Sequence, residues 1–170
     1  MLNNTTFRQN YQAADWYKSN LKVLVACSGG VDSTVLLHLL TEIHDLEISI
    51  VHFDHQLRGS ESDSDREFIK RVGADLGYPV HVVTEDIEAY AKLNDMSLEE
   101  AGSVRRRSAF MNLLDQLSYD YVATGQHVDD QIETILMNIY QGSGIQGLSG
   151  ISEWNGSFIR PLLRYTREEI

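Results

Sequence analysis

A continuous apolar run, Val23-Leu24-Val25-Ala26, ends at Cys27 and gives way at once to Ser28-Gly29-Gly30-Val31-Asp32-Ser33. A helix-periodic stretch follows, with Leu36, Leu37, Leu39, Leu40 and Ile43 as its buried side. A strand with no polar alternation needs cover on both faces, and such strands belong to parallel sheets wrapped by helices. A glycine turn between that strand and a helix start aims backbone N–H groups and the positive helix end at one point. Two adjacent glycines let the backbone approach a bulky anion, and two serines add hydroxyl donors. Asp32 is discordant, because a carboxylate repels phosphate unless a divalent cation lies between them. Ser28, Gly29, Gly30, Val31, Asp32 and Ser33 therefore read as a cradle for metal-complexed phosphate. The bland alternative is a turn that needs glycine only for its geometry.

The same alternation continues. Thr5 to Ser19 reads as an amphipathic helix through Phe7, Tyr11, Ala14 and Trp16. Strands are expected at Leu21–Cys27, Ile48–Val51, Val80–Val83 and Tyr121–Thr124, and a short one at Phe158–Ile159 beyond an Asn155-Gly156 turn. Helices are expected from Ser60, where Asp63 completes a capping box, to Leu76, then over Ile87–Asn94, Ser97–Leu117 and Val128–Tyr140. This pattern predicts an α/β fold, a doubly wound parallel sheet with helices on both faces. The domain reading is an N-terminal helix over 1–20 and one catalytic domain over 21–170. Thr166-Arg167-Glu168-Glu169 looks like a capping box opening a helix that Ile170 cuts short, so the chain reads as a fragment of a longer protein.

Charge and composition exclude several classes. Fourteen basic against 25 acidic residues give a net charge of −11, a poor basis for gripping nucleic acid or an anionic membrane without help. One cysteine excludes an internal disulfide and fits a reducing, cytoplasmic setting. No signal-peptide pattern appears, and no apolar run approaches the roughly 20 residues of a membrane span. The loop is not a Walker A motif, since no lysine stands between Lys22 and Lys70, and it lacks the third glycine of a dinucleotide fingerprint.

Three more clusters carry chemistry. His52-Phe53-Asp54-His55-Gln56-Leu57-Arg58 reads as a loop after the second strand, facing substrate through His55 and Arg58 and adenine through Phe53 and Asp54. A solvated loop is the plain alternative, and a zinc reading lacks ligand spacing and cysteine partners. Gln126-His127-Val128-Asp129-Asp130-Gln131-Ile132-Glu133 enters a helix with Asp130 and Glu133 on one face. Adjacent acids there suit a metal or a cationic nucleophile, while either Asp129 or Asp130 could instead cap the helix, Asp129, nearest its start, more readily than Asp130. Arg105-Arg106-Arg107 covers most of a helical turn, so only one or two of the three can face a site. Gly142 to Gly150 holds four glycines, either a linker or a loop that lets substrate come close.

The Ser-Gly-Gly-X-Asp-Ser loop resembles the PP-loop of ATP pyrophosphatases, which split ATP into AMP and pyrophosphate and adenylate a substrate oxygen. With His52–Arg58, Gln126–Thr134, Gly142–Gly150 and Ile159-Arg160-Pro161-Leu162-Leu163, the chain from about Leu21 onward is similar to the N-terminal domain of tRNA(Ile)-lysidine synthetases. The family usually shows His-His before the paired acids, where Gln126 here replaces the first. It often has an arginine three residues before Arg106, where Ser103 stands. The resemblance implies a fold of the adenine nucleotide alpha-hydrolase type and a ligase using ATP and Mg²⁺. The reaction adenylates the wobble cytidine of a tRNA(Ile) with a CAU anticodon, then free L-lysine displaces AMP to give lysidine. The implied catalytic residues are Asp32, Asp130, Glu133 and Arg106, with Asp32 and Asp130 on the metal. His55, Arg58, His127, Asp129, Gly142 and Gly144 would meet substrate. The tRNA would be held mainly by domains beyond residue 170, and a homodimer stays open. Two rivals are a PP-loop tRNA thiolase, for which Cys27 alone is too few cysteines, and a non-catalytic ATP-binding domain.

Overall fold

The computed structural model describes residues 2–57, 60–142 and 149–170. The chain runs through α1 (Asn4–Gln12), β1 (Leu21–Ala26), α2 (Val31–Thr41), β2 (Leu46–Asp54), α3 (Ser60–Leu76) and β3 (Val80–Thr84). It continues through α4 (Ile87–Asn94), α5 (Leu98–Leu117), β4 (Tyr121–Ala123), α6 (Val128–Tyr140), β5 (Trp154–Asn155) and β6 (Phe158–Ile159). The strands form one sheet in the order β3-β2-β1-β4-β6-β5, parallel except for the β5–β6 hairpin. The chain winds outward from β1 to β3, then returns to place β4 on the other side of β1. That reversal opens a crevice at the carboxyl ends of β1 and β4, where open α/β sheets bind ligands.

Strand periodicity divides the core. Val23 and Val25 of β1 join Ile48, Ile50, Leu36, Leu40 and Ile69 on the face covered by α1, α2 and α3. Leu24 points the other way, to Val51, Val122, Phe110 and Leu114 under α4 and α5. Local chemistry sets the helix ends. The Asp86 carboxylate accepts the Ala89 N–H at 2.9 Å to start α4, and the Ser97 hydroxyl accepts the Glu100 N–H at 3.2 Å to start α5. Asp95 and Ser118 stop these two helices in the left-handed region, with φ of 54° and 55°.

Two expectations need correction. α1 ends at Gln12, not Ser19; Trp16 is nevertheless buried, because the chain turns after Ala13 and sets the indole edge-on to Tyr11 at 4.7 Å. β2 runs to Asp54, so His52, Phe53 and Asp54 lie in a strand and not in the loop after it. Pairing with β3 extends that far, with Asp54 opposite Thr84. The short strand β6 and the Asn155-Gly156 turn before it fall where expected, with Gly156 at φ +67° closing a hairpin to β5. The N-terminal helix joins the main core through Phe7 and Tyr11, and Asn10 donates to the Tyr165 hydroxyl at 2.7 Å. Arg58, Gly144 and the Ser60 side chain lie outside the described residues; Asp63 pairs with Arg66 at 2.7 Å. The Thr166 pattern does form one turn, its N–H and hydroxyl both bonding the Glu169 carboxylate at 2.9 and 3.0 Å.

Candidate functional site

The carboxyl ends of β1, β2 and β4, together with α5 and the β6 segment, enclose a cleft of about 900 Å³. Ser28, Gly30, Asp32, Ser33, Phe53, Asp54, His55, Arg106 and Asp130 all line it. The sheet therefore brings residues from four separate segments of the sequence to one place.

The Ser28–Ser33 loop is braced from within. The Ser33 hydroxyl donates to the Gly30 carbonyl at 3.0 Å and accepts the Ser28 N–H at 3.2 Å. Gly29 sits at φ +94°, and a Cβ there would come 3.2 Å from the Asp65 carboxylate. Gly30 precedes α2 without a side-chain cap, so the first N–H groups of the helix have no partner within it and open on the cleft. Val31 points outward, 65% exposed, and offers only backbone.

Asp32 stands in the first turn of α2. Its Oδ1 is buried without a hydrogen-bond donor, while Oδ2 lies 3.6 Å from His127 Nε2. A buried carboxylate oxygen with no donor is costly, and a divalent cation would satisfy it. Among the described residues no three His, Cys, Asp or Glu side chains gather into a cage. That fits Mg²⁺, which is commonly held by one or two carboxylates plus substrate phosphates and water.

The acids of α6 divide their work differently from expectation. Asp130 accepts the His127 N–H at 2.8 Å, so of the two capping candidates it is Asp130, not the favoured Asp129, that closes the helix start. Asp129 accepts the Arg167 N–H at 2.7 Å. His127 is buried; its Nδ1 has no hydrogen-bond partner and lies 3.4 and 3.5 Å from the Asp129 and Asp130 carboxylates. Glu133 shares the Asp130 face but is exposed and does not line the cleft. Gly142, at φ +71°, stops the last turn of α6 and likewise stands outside it.

The arginines separate as their helical spacing predicts. Arg105 is tied to Glu85 at 2.9 Å and lies over the Tyr90 ring. Arg106 and Arg107 face the cleft. The cleft walls strip water from Arg106 and hold its guanidinium below the ordinary arginine range. It has no carboxylate partner among the described residues, although much of its surface opens into the cleft. His55 packs edge-on against Phe53 at 4.7 Å. Burial, then the Arg106 charge, lowers its pKa below 6.5. Asp54 spends its carboxylate within the protein, accepting the Gln56 N–H at 2.9 Å and pairing with Arg66 at 3.2 Å.

Sequence reasoning missed several cleft residues. At Gly102 a Cβ would come 3.2 Å from the His55 ring, and at Gly125 it would come 3.1 Å from the backbone of Asp32 and Ser33. Gly125 follows a predicted strand, which was the available signal. Nothing in the sequence marks Gly102, nor the pairing of Gln126 with Arg160.

Residues 3–170 match the PP-loop domain family. The chain is 40% identical over 151 residues to a tRNA(Ile)-lysidine synthase of Chlorobaculum tepidum, covering 87% of this chain and 46% of that protein. It is 42% identical over 149 residues to one of Porphyromonas gingivalis, covering 87% and 33%. The chain thus spans from a third to about half the length of these relatives. Among solved structures, the U34-tRNA thiolase NcsA of Methanococcus maripaludis, with its [4Fe-4S] cluster, superposes with TM-score 0.77 at 21% identity, covering 97% of this chain and 61% of that one. The NH₃-dependent NAD synthetase of Campylobacter jejuni gives 0.61 at 16% identity, covering 99% and 71%. At those identities the likeness speaks for the fold alone.

Proposed function

Since the chain belongs to the PP-loop domain family, we propose that it is the ATP-using catalytic part of a tRNA(Ile)-lysidine synthase. The observation that carries this reading is identity of about 40% to synthases of that name across most of the chain, over a cleft lined by the Ser28, Gly30, Asp32 and Ser33 of the loop with Arg106 and Asp130. The substrates are ATP, free L-lysine and a tRNA(Ile) with a CAU anticodon. The C2 oxygen of the wobble cytidine is adenylated with release of pyrophosphate, and the lysine amine then displaces AMP.

Each residue has a task in this reading. The Ser28–Ser33 loop and the α2 N-terminus hold the departing pyrophosphate. Asp32, with Asp130, holds Mg²⁺, which offsets phosphate charge when bound. Arg106 offers a guanidinium, without a carboxylate partner among the described residues, to the negative charge of the activated base. Asp130 and Glu133 attract the lysine ammonium, and one of them takes its proton. His55 and Arg58 meet substrate, and the backbone at Phe53 and Asp54 meets adenine. Domains beyond residue 170 supply most of the grip on tRNA, in keeping with the charge of −11. Among the described residues no helix is long and apolar enough to cross a membrane, and the reading places the enzyme in the cytoplasm.

The thiolase alternative loses ground at Cys27. That thiol is buried and pushed up to about 12 by desolvation, far from the thiolate that sulfur transfer or a cluster requires. The test is incubation of the full-length protein with ATP, lysine and the tRNA. Lysine-dependent AMP release with a lysine adduct at the wobble cytidine is expected; sulfur incorporation, or AMP release indifferent to lysine, would overturn the reading.

A further inference from the structure

We propose that Arg107 and Arg160 form a second phosphate subsite on the α5–β6 wall of the cleft, separate from the Ser28–Ser33 loop. The inference rests on the cleft handling nucleotides, as proposed above.

The α5–β6 wall carries positive charge that lacks compensation. Arg66, Arg105 and Arg164 each hold a carboxylate, at Asp54, Glu85 and Glu153. Arg107 and Arg160 hold none among the described residues, yet both line the cleft of a chain with a net charge of −11. Arg160 is only 8% exposed. Its Nε donates to Gln126 Oε1 at 2.5 Å and its Nη1 to the Ser152 carbonyl at 2.6 Å, both neutral acceptors. Those bonds fix the plane of the fork without cancelling its charge. Arg107 is fixed in turn by the Phe158 ring, 4.8 Å below its guanidinium and two residues before Arg160.

The two cations are close enough to disturb each other. Burial, and next the Arg107 charge, pull the Arg160 guanidinium below its usual range. Holding the buried Arg160 cation beside a second positive charge costs free energy, and a bound anion offsets it. Planar guanidinium forks match phosphate oxygens. Since the helix N-terminus already provides for the departing pyrophosphate, the pair is available to another phosphate. The two sources are a phosphodiester of the RNA strand and a phosphate of ATP.

The test uses the full-length protein and Arg107→Gln, an exposed position where folding is not at stake. Arg71→Gln is the control, since Arg71 is exposed on α3, outside the cleft, and removes the same charge. Affinities for ATP–Mg and for an anticodon stem-loop RNA are measured across a salt series, without lysine. Arg107→Gln should weaken one of them about tenfold relative to the control, as expected for a charge-assisted phosphate contact. A fall of about 0.7 in the slope of log K against log salt for RNA assigns the subsite to the strand. Weaker ATP–Mg binding with an unchanged RNA slope assigns it to the nucleotide. If neither affinity moves beyond the Arg71→Gln control, the subsite does not exist. A protein that shows the shift but makes no lysidine keeps the subsite and loses the activity proposed above, so the two failures are distinct.

Discussion

Two strand-to-helix turns meet in the cleft, and they are built on different logic. The β1–α2 turn is closed on itself: Ser33 bonds Ser28 and Gly30, so its shape comes from six consecutive residues. The β4–α6 turn depends on distant parts of the chain. Gln126 meets Arg160, Asp129 meets the Arg167 backbone, and His127 approaches Asp32. A turn braced mainly by its own residues has its shape largely set before its neighbours pack on it, which suits a cradle for a constant ligand. A turn held by remote partners is positioned only when the whole sheet is assembled, which suits a site that must read a particular substrate.

The largest effect should come from removing the discordant acid of the self-contained turn. Asp32→Ala should lower pyrophosphate release by at least about 10²-fold, the scale for a lost metal-site contact. The thermal midpoint should change little, because Asp32 Oδ1 lacks a hydrogen-bond donor and the nearest cation, the exposed Arg167 guanidinium, stands 4.0 Å away. Retained activity with a midpoint several degrees lower would make Asp32 structural and dissolve the contrast between the turns.

Next comes the point where the turns touch. Gly125→Ala places a Cβ 3.1 Å from the Asp32 and Ser33 backbone. Overpacking of this kind costs about 1–3 kcal/mol, and pushing the turns apart should weaken ATP–Mg binding as well. Calorimetry and nucleotide titration of one sample check both. Unchanged ATP affinity would mean that the cradle does not feel its neighbour.

The difference between the turns also explains what could be read in advance. The cradle was legible because glycine, serine and aspartate at fixed offsets have a local mechanism. The helices over Ile87–Asn94 and Val128–Tyr140 were legible from periodicity and stop signals. Which of the two acids caps α6 was not. Asp129 stands nearest the helix start, but Arg167, 38 residues on, engages its carboxylate, and the cap falls to Asp130. Nor could sequence show that β2 extends to Asp54, since its length follows from pairing with β3. Tertiary partners decided both.

A smaller effect is expected from the α6 acids. Asp130→Asn keeps an oxygen for the His127 N–H, so the helix start should survive while adenylation and lysine transfer both fall, because the residue is assigned to the metal as well as to lysine. Glu133→Gln, at an exposed position, should raise the apparent KM for lysine less and leave adenylation intact. Assaying adenylate formation without lysine, then lysine transfer, separates the two roles. Loss of adenylation in Glu133→Gln, with lysine dependence unchanged, removes that residue from nucleophile selection.

The smallest effect concerns His55, where a third segment borders the cleft. Burial and the Arg106 charge both favour the neutral imidazole, so the folded pKa lies below 6.5. As pH falls through the unfolded value, the unfolded chain takes up a proton before the native protein does. Stability therefore declines with acidification and levels off below the folded pKa. The ring is partly solvated, so screening keeps this decline shallow. His55→Gln should lose less stability than the parent between pH 7 and the folded pKa, by an amount that matches the displaced imidazole titration in NMR. Arg106→Gln should move that titration back toward 6.5, because it removes the second-largest cause and leaves burial and the His52 charge in place. A His55 resonance that titrates at the same pH in both proteins would show that Arg106 is too well screened to act on its neighbour. Its charge would then be a weak candidate for offsetting charge on a bound base in the same cleft.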